Sequence, residues 1–168
     1  IGIWEERDSE NRLDVGEYIN DKRKGKWKST QYGRNLWKGN YLNGKRDGFW
    51  IFYHSNETRK QTGWYKFGKR HGRWKEYDDT YGKVTSNGNY VNGNKSGEWV
   101  FQSSETEYND IFRYKDVINT GFYINGRKNG IWIQKWASSG LLKSQGSYND
   151  DKKVGCWQEL SNSQTLHF

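Results

Sequence analysis

Three histidines, one cysteine and a few paired carboxylates are the residues of this 168-residue chain with the chemistry to act on a substrate. His54, His71 and His167 stand far apart, with no His-x-x-x-His pair to hold a metal and no nucleophile elbow. Cys156 is the only cysteine, which excludes an intrachain disulfide and a cysteine-rich zinc site and suits a reducing compartment. Asp78-Asp79 and Asp150-Asp151 fall where turns are expected, so hydration accounts for them. The glycines form no phosphate loop, because no helical pattern follows them. These residues predict a non-enzymatic chain without cofactor or metal.

The organised chemistry is cationic. Net charge is +8, and basic pairs recur as Lys22-Arg23, Lys45-Arg46, Lys69-Arg70, Asn94-Lys95, Arg127-Lys128 and Lys152-Lys153. Each pair occupies positions six and seven of a frame that occurs six times: Gly, Tyr two residues on, Gly or Asp at the fifth place, Gly at the ninth and Trp at the eleventh. The first glycines are Gly16, Gly39, Gly63, Gly88, Gly121 and Gly146, and the tryptophans are Trp27, Trp50, Trp74, Trp99, Trp132 and Trp157. A fixed period of this length marks one supersecondary unit copied and stacked.

Positions four and five identify the unit. Asn20-Asp21, Asn43-Gly44, Asn92-Gly93, Asn125-Gly126 and Asp150-Asp151 combine residues that tolerate positive φ, as a two-residue type I′ hairpin turn requires, with Phe67-Gly68 the weak member. Counting outward from the turn places Gly39 opposite Gly48, Tyr41 opposite Arg46 and Trp37 opposite Trp50, all on one face. Rings would then alternate with bare backbone, letting a ring lie flat over the main chain. Only 32% of residues are hydrophobic while 17% are aromatic, which suits a thin sheet better than a three-layer domain. The expected fold is all-β: a single-layer antiparallel β-meander solenoid of about six stacked hairpins over residues 16–160. Gly2 and Trp4 match the closing half of a frame, so residues 1–15 read as the end of a preceding repeat within a longer protein, and 161–168 as a tail.

The pattern Gly-x-Tyr-x-Asn-Gly-x-x-x-Gly-x-Trp resembles the MORN repeat. The match is to the MORN-variant form of ciliate arrays and of bacterial antitoxin-like proteins, over nearly the whole chain. Val154-Gly155-Cys156-Trp157-Gln158-Glu159-Leu160-Ser161 is especially similar to the ciliate variant; Asp21 and Asp151 depart from it by replacing turn glycines. The resemblance implies a scaffold or protein-interaction module of a cytoskeletal, ciliary or other large assembly, with an intracellular location, cytoplasmic or cytoskeletal/ciliary. Two alternatives come with it: an adaptor for anionic membrane lipids, and an antitoxin-like neutraliser or the repeat appendage of an enzyme.

Stacked units would align Lys22, Arg23, Lys45, Arg46, Lys69, Arg70, Lys95, Arg127, Lys128, Lys152 and Lys153 into a basic ridge along the turn edge, stepping about 10 Å per unit. Across the frame, Arg46 on Tyr41 and Arg70 on Tyr65 are candidate cation–π pairs. The opposite loops carry acids: Glu5, Glu6, Asp8, Glu10, Glu57, Asp78, Asp79, Glu105, Glu107 and Asp110. A ribbon with edges of opposite sign suits protein partners with acidic surfaces, self-association or anionic lipid. Interleaved rings and a basic balance also fit single-strand nucleic-acid binders, but the frame uses its rings for a core, which argues against that partner. No stretch is apolar enough to cross a membrane. The face opposite the frame varies, with apolar patches at Leu42, Phe49, Ile51 and Tyr53 and at Phe122, Ile124, Ile131 and Ile133. These read as docking sites or as places a loop covers. The connection from Trp99 to Gly121 is about eight residues longer than its counterparts and holds Phe112 and Tyr114, so it is the expected cover or, failing that, a unique partner contact.

Overall fold

The computed structural model describes residues 2–107 and 113–160. Among them there is no helix, only strands and turns. The chain divides into two compact units, Ile1–Asn94 and Lys95–Phe168. The first is a single-layer antiparallel meander of β1 (Ile3–Arg7), β2 (Arg12–Ile19), β3 (Lys22–Gln31), β4 (Arg34–Leu42), β5 (Lys45–Tyr53), β6 (Arg59–Lys66), β7 (Lys69–Tyr77) and β8 (Val84–Val91). The second is a like meander of β9 (Asn94–Glu107), β10 (Arg113–Ile124), β11 (Arg127–Trp136), β12 (Leu142–Asn149) and β13 (Lys152–Glu159). The boundary between units falls inside the fourth frame, whose Gly88 belongs to β8 and Trp99 to β9.

Each frame turn has two successive residues in the left-handed region, as type I′ geometry demands. Phe67 is no exception, with φ 52° followed by Gly68 at 84°. The tight turns also bind one another. The N–H at position five donates to the position-seven carbonyl of the preceding repeat: Gly44 to Arg23, Gly68 to Arg46 and Gly93 to Arg70 in the first unit, and Gly126 to Lys95 and Asp151 to Lys128 in the second, at 2.8–3.0 Å.

Beyond the turn the expected register is overturned. Tyr41 does face Arg46, but Asn40 pairs with Asp47 and Lys38 with Ile51, so the returning strand holds two extra residues and Trp37 lies opposite Phe52. The same slip recurs between β2 and β3, β6 and β7, β10 and β11, and β12 and β13. Its cause is the ninth-place glycine, which sits at positive φ, 76° at Gly48, and kinks the strand into a bulge. Because the insertion is even, side-chain parity survives, and the shared face is as expected although the cross-strand partners are not.

Where a whole frame lies within one unit, the bulge carries its tryptophan across the hairpin onto the first glycine. A Cβ at Gly39 would lie 2.2 Å from the Trp50 ring, and Gly16 with Trp27, Gly63 with Trp74, Gly121 with Trp132 and Gly146 with Trp157 repeat the arrangement. In the first unit the indole N–H then donates to the carbonyl one residue past that glycine, from Trp27 to Glu17, Trp50 to Asn40 and Trp74 to Trp64, whereas the Trp132 and Trp157 indole nitrogens are buried without a partner among the described residues. Trp and Tyr alternate edge to face, from Tyr18–Trp27 at 5.2 Å through Tyr41–Trp50 at 5.1 Å to Trp74–Tyr90 at 5.9 Å. The second unit has the like series, Tyr123–Trp132 at 5.4 Å to Tyr148–Trp157 at 5.1 Å. Trp50 is wholly buried although only one sheet layer supports it.

The described residues of the long connection are strand and not a cover. Glu107 pairs with Arg113, and the register runs on through Ser103 with Val117 to Gly97 with Tyr123, so its extra length extends the β9–β10 hairpin. Phe112 and the side chain of Tyr114 lie outside the described residues. Tight burial of the rings makes the frame glycines the sensitive positions. Gly39→Ala is expected to lose about 3 kcal/mol by forcing Trp50 off the backbone, whereas Gly2→Ala, with open space around its Cβ, changes stability little. Urea unfolding followed by circular dichroism checks both.

Candidate interaction faces

Alternation along the strand separates each basic pair. Position seven falls on the ring face, and there the cation closes over the tryptophan of its own hairpin. Arg46 lies 4.8 Å from the Trp50 ring centre, Arg70 4.3 Å from Trp74 and Arg23 4.2 Å from Trp27. Lys95 on Trp99, Lys128 on Trp132 and Lys153 on Trp157 do the same at 4.2–4.5 Å. Arg46 and Arg70 also reach the tyrosine of the following repeat: Arg46 touches Tyr65 and Arg70 touches Tyr90, donating to the phenol oxygen at 3.2 and 3.1 Å. The expected pairs Arg46 with Tyr41 and Arg70 with Tyr65 are therefore displaced by one tyrosine along the stack. Burial opposes the Arg70 charge, yet hydrogen bonds with Tyr90 and Tyr65 hold its pKa above the ordinary value.

The basic ridge is thus not one surface. Arg23, Arg46, Arg70, Lys95 and Lys128 are half-buried lids of the aromatic core, whereas Lys22, Lys45, Lys69, Arg127 and Lys152 are exposed on the opposite face. In the second unit the aspartates that replace turn residues add staples: Asp150 pairs with Arg127 at 3.4 Å, and the Asp151 carboxylate accepts the Lys128 N–H at 2.8 Å.

The acidic edge is likewise partly spent on structure. Asp8 accepts the N–H groups of Glu10 and Arg12, Glu57 accepts that of Asn35, and Asp78 those of Thr80, Tyr81 and Lys83. These backbone donors, Tyr81 foremost, hold the Asp78 carboxyl below its ordinary pKa. Glu6 turns onto the ring face and pairs with Tyr18 and Arg23. Beside it Asp14, almost fully buried, receives Arg12 at 3.0 Å and Arg23 at 3.0 Å. Burial there opposes ionisation, but hydrogen bonds from Arg12, Ser29 and Arg23 outweigh it and hold the carboxyl below its ordinary value. The side chains of Glu105 and Glu107, and Asp110 altogether, lie outside the described residues.

The groups with enzymic potential are dispersed. His54 Nε2 lies 3.1 Å from the Tyr77 carbonyl, His71 lies across from Trp64 with a buried Nδ1, and Cys156 is exposed. Among the described residues no group of three or more His, Cys, Asp and Glu could hold a metal ion.

The face opposite the rings is where unspent chemistry gathers. In the first unit Phe49 and Trp64 are exposed and paired edge to face at 5.6 Å, Leu42 is exposed, and Ile51 and Tyr53 are half-buried, with Lys38 over the Tyr53 ring at 5.8 Å. Around them stand Lys26, Lys28, Lys38, Lys45, Lys66, Lys69, Arg73 and Lys75, none ion-paired among the described residues. In the second unit Phe122, Ile124 and Ile131 are exposed and Ile133 half-buried. Sequence reading missed Trp64, which stands between two frame residues and so points away from the frame face. Parity alone could have found it. No protein-family model matches this chain, and no curated protein matches it.

The two cation rows give different expected outcomes. Arg70→Gln should cost about 1.5 kcal/mol through the lost ring and phenol contacts, and Lys69→Gln less than about 0.5 kcal/mol, read from chemical unfolding at neutral pH. Asp14 sets an acid limit. Its folded pKa is depressed, so its contribution is full above the unfolded carboxylate value near 4 and is lost as pH falls through the folded value. Asp14→Asn should remove about 2 kcal/mol at neutral pH and flatten the loss of stability below about pH 4, measured by urea unfolding across pH.

Proposed function

We propose that this chain is a non-enzymatic scaffold, a MORN-variant hairpin array serving as a protein-interaction module in a cytoskeletal, ciliary or other large assembly. The observation that carries this reading is the division of labour between the two faces. On the ring face, polar groups are turned inward on one another: Arg70 donates to Gln61, Gln61 and Ser86 donate to Glu76, and Ser144 donates to Gln134. The opposite face offers exposed rings and aliphatics among unneutralised lysines, which a free sheet has no internal use for.

Buried network and exposed patch together favour binding over turnover. A rigid sheet with its titratable groups tied into a stack has little to position against a reacting atom, and much flat surface to present. Hairpins that bond turn to turn also extend such a surface by repetition. The reading is tested by fractionating extract of the source cells at near-physiological salt: the chain should migrate within an assembly several times its own mass. Migration as a free monomer in every fraction would overturn it.

A further inference from the structure

The strand register of the first unit sets two lysines directly against each other. Lys28 on β3 and Lys38 on β4 are cross-strand partners, both exposed and on the face opposite the rings. Like charges so placed destabilise a sheet. Neither has an acid within salt-bridge reach among the described residues. The same row continues to Val15 on one side and Ile51 on the other, giving Val15, Lys28, Lys38 and Ile51 across four adjacent strands. These four line a trough of about 910 Å³ whose exposed surface is mostly apolar, with Ile3 and Phe49 at its ends.

We propose that this trough is a docking site for an extended acidic segment of a partner protein, one that carries aliphatic or aromatic side chains two residues either side of an acid. The spacing comes from sheet geometry. Strands about 4.8 Å apart put Val15 and Ile51 roughly 14 Å from each other, with the two ammonium groups between them. An extended chain lying across the strands presents same-side residues about 7 Å apart. Its side chains i and i+4 then meet Val15 and Ile51, while i+2 falls midway between Lys28 and Lys38, where one carboxylate answers both charges. The pattern is apolar-x-Asp/Glu-x-apolar. Concavity selects a chain over a bilayer, which needs a flat or convex contact. Glu17 in the same trough disfavours a strand anionic along its whole length, such as nucleic acid, more than a segment whose single acid sits between Lys28 and Lys38.

This inference rests on the scaffold reading and names the partner's chemistry. The probe is a dye-labelled acidic peptide of about a dozen residues containing Leu-x-Glu-x-Leu, titrated with the whole chain by fluorescence anisotropy beside a scrambled peptide of equal composition. The ordered peptide should bind about tenfold more tightly than the scrambled one, and Lys28→Gln with Lys38→Gln should weaken it about tenfold. Lys22→Gln with Lys45→Gln should leave it within about twofold. The double change at Lys28 and Lys38 relieves repulsion, so unfolding must show the variant at least as stable as the parent. Equal affinity for both peptides, unchanged affinity on removing the lysine pair, or displacement of the peptide by phosphatidylserine vesicles or single-stranded RNA would each overturn the trough. Equal peptide affinity in a chain that still migrates within its assembly sinks the trough and leaves the scaffold. Ordered-peptide binding by a chain found only as a monomer does the reverse.

Discussion

A tryptophan ring laid on a bare glycine and closed from above by a cation is the contact on which each hairpin depends. A single antiparallel layer has no second layer to bury its rings against, and the indole surface is too large to leave in water. Here the backbone itself is the floor. The glycine removes the Cβ that would collide with the ring, as at Gly39 beneath Trp50, and Arg46 supplies the roof at 4.8 Å. The neighbouring tyrosine closes the side edge-on. Burial is thereby assembled from one hairpin and the next, which explains how so few aliphatic residues suffice.

That contact makes demands on the strand. To reach Gly39, Trp50 must come from a returning strand two residues too long, and the ninth-place glycine absorbs the excess at positive φ. The bulge increases local twist. Strand alternation takes position seven of each basic pair off the outer surface: the Arg46 and Arg70 lids are held by π contact and by a hydrogen bond to the next tyrosine, so their charge is part of the fold. The outward member of the pair stays in solvent, which is why six similar dipeptides serve two separate purposes.

The opposite face carries the consequence for function. With the rings, lids and inner polar chain committed to stability, variation between repeats accumulates where the sheet does not need it. Phe49 with Trp64 and the opposed Lys28 and Lys38 are expensive on a free surface, one for exposed apolar area and the other for repulsion. The opposed lysines lie in one concave row with Val15 and Ile51, and Phe49 lines the same trough, which distinguishes this stretch from the surrounding solvated lysines.

The repeat period, the turn residues and the alternation of faces were legible because each is a local property: two positive-φ residues make a turn wherever they occur, and parity needs only counting. Phe67 was the one turn residue the composition rules disfavoured, and its neighbours' stacked turns hold it in place. The sequence by itself thus determined that this is an all-β array of hairpins with one aromatic face. Tertiary structure alone decided which residues lie opposite which, because bulges at Gly48 and at Ser29–Thr30 shift partners by amounts no spacing displays. It also decided that Arg23, Arg46, Arg70, Lys95 and Lys128 belong to the core, since a cation such as Arg46 closes over Trp50 of its own strand and bonds Tyr65 of the next hairpin, contacts that counting across the turn does not give.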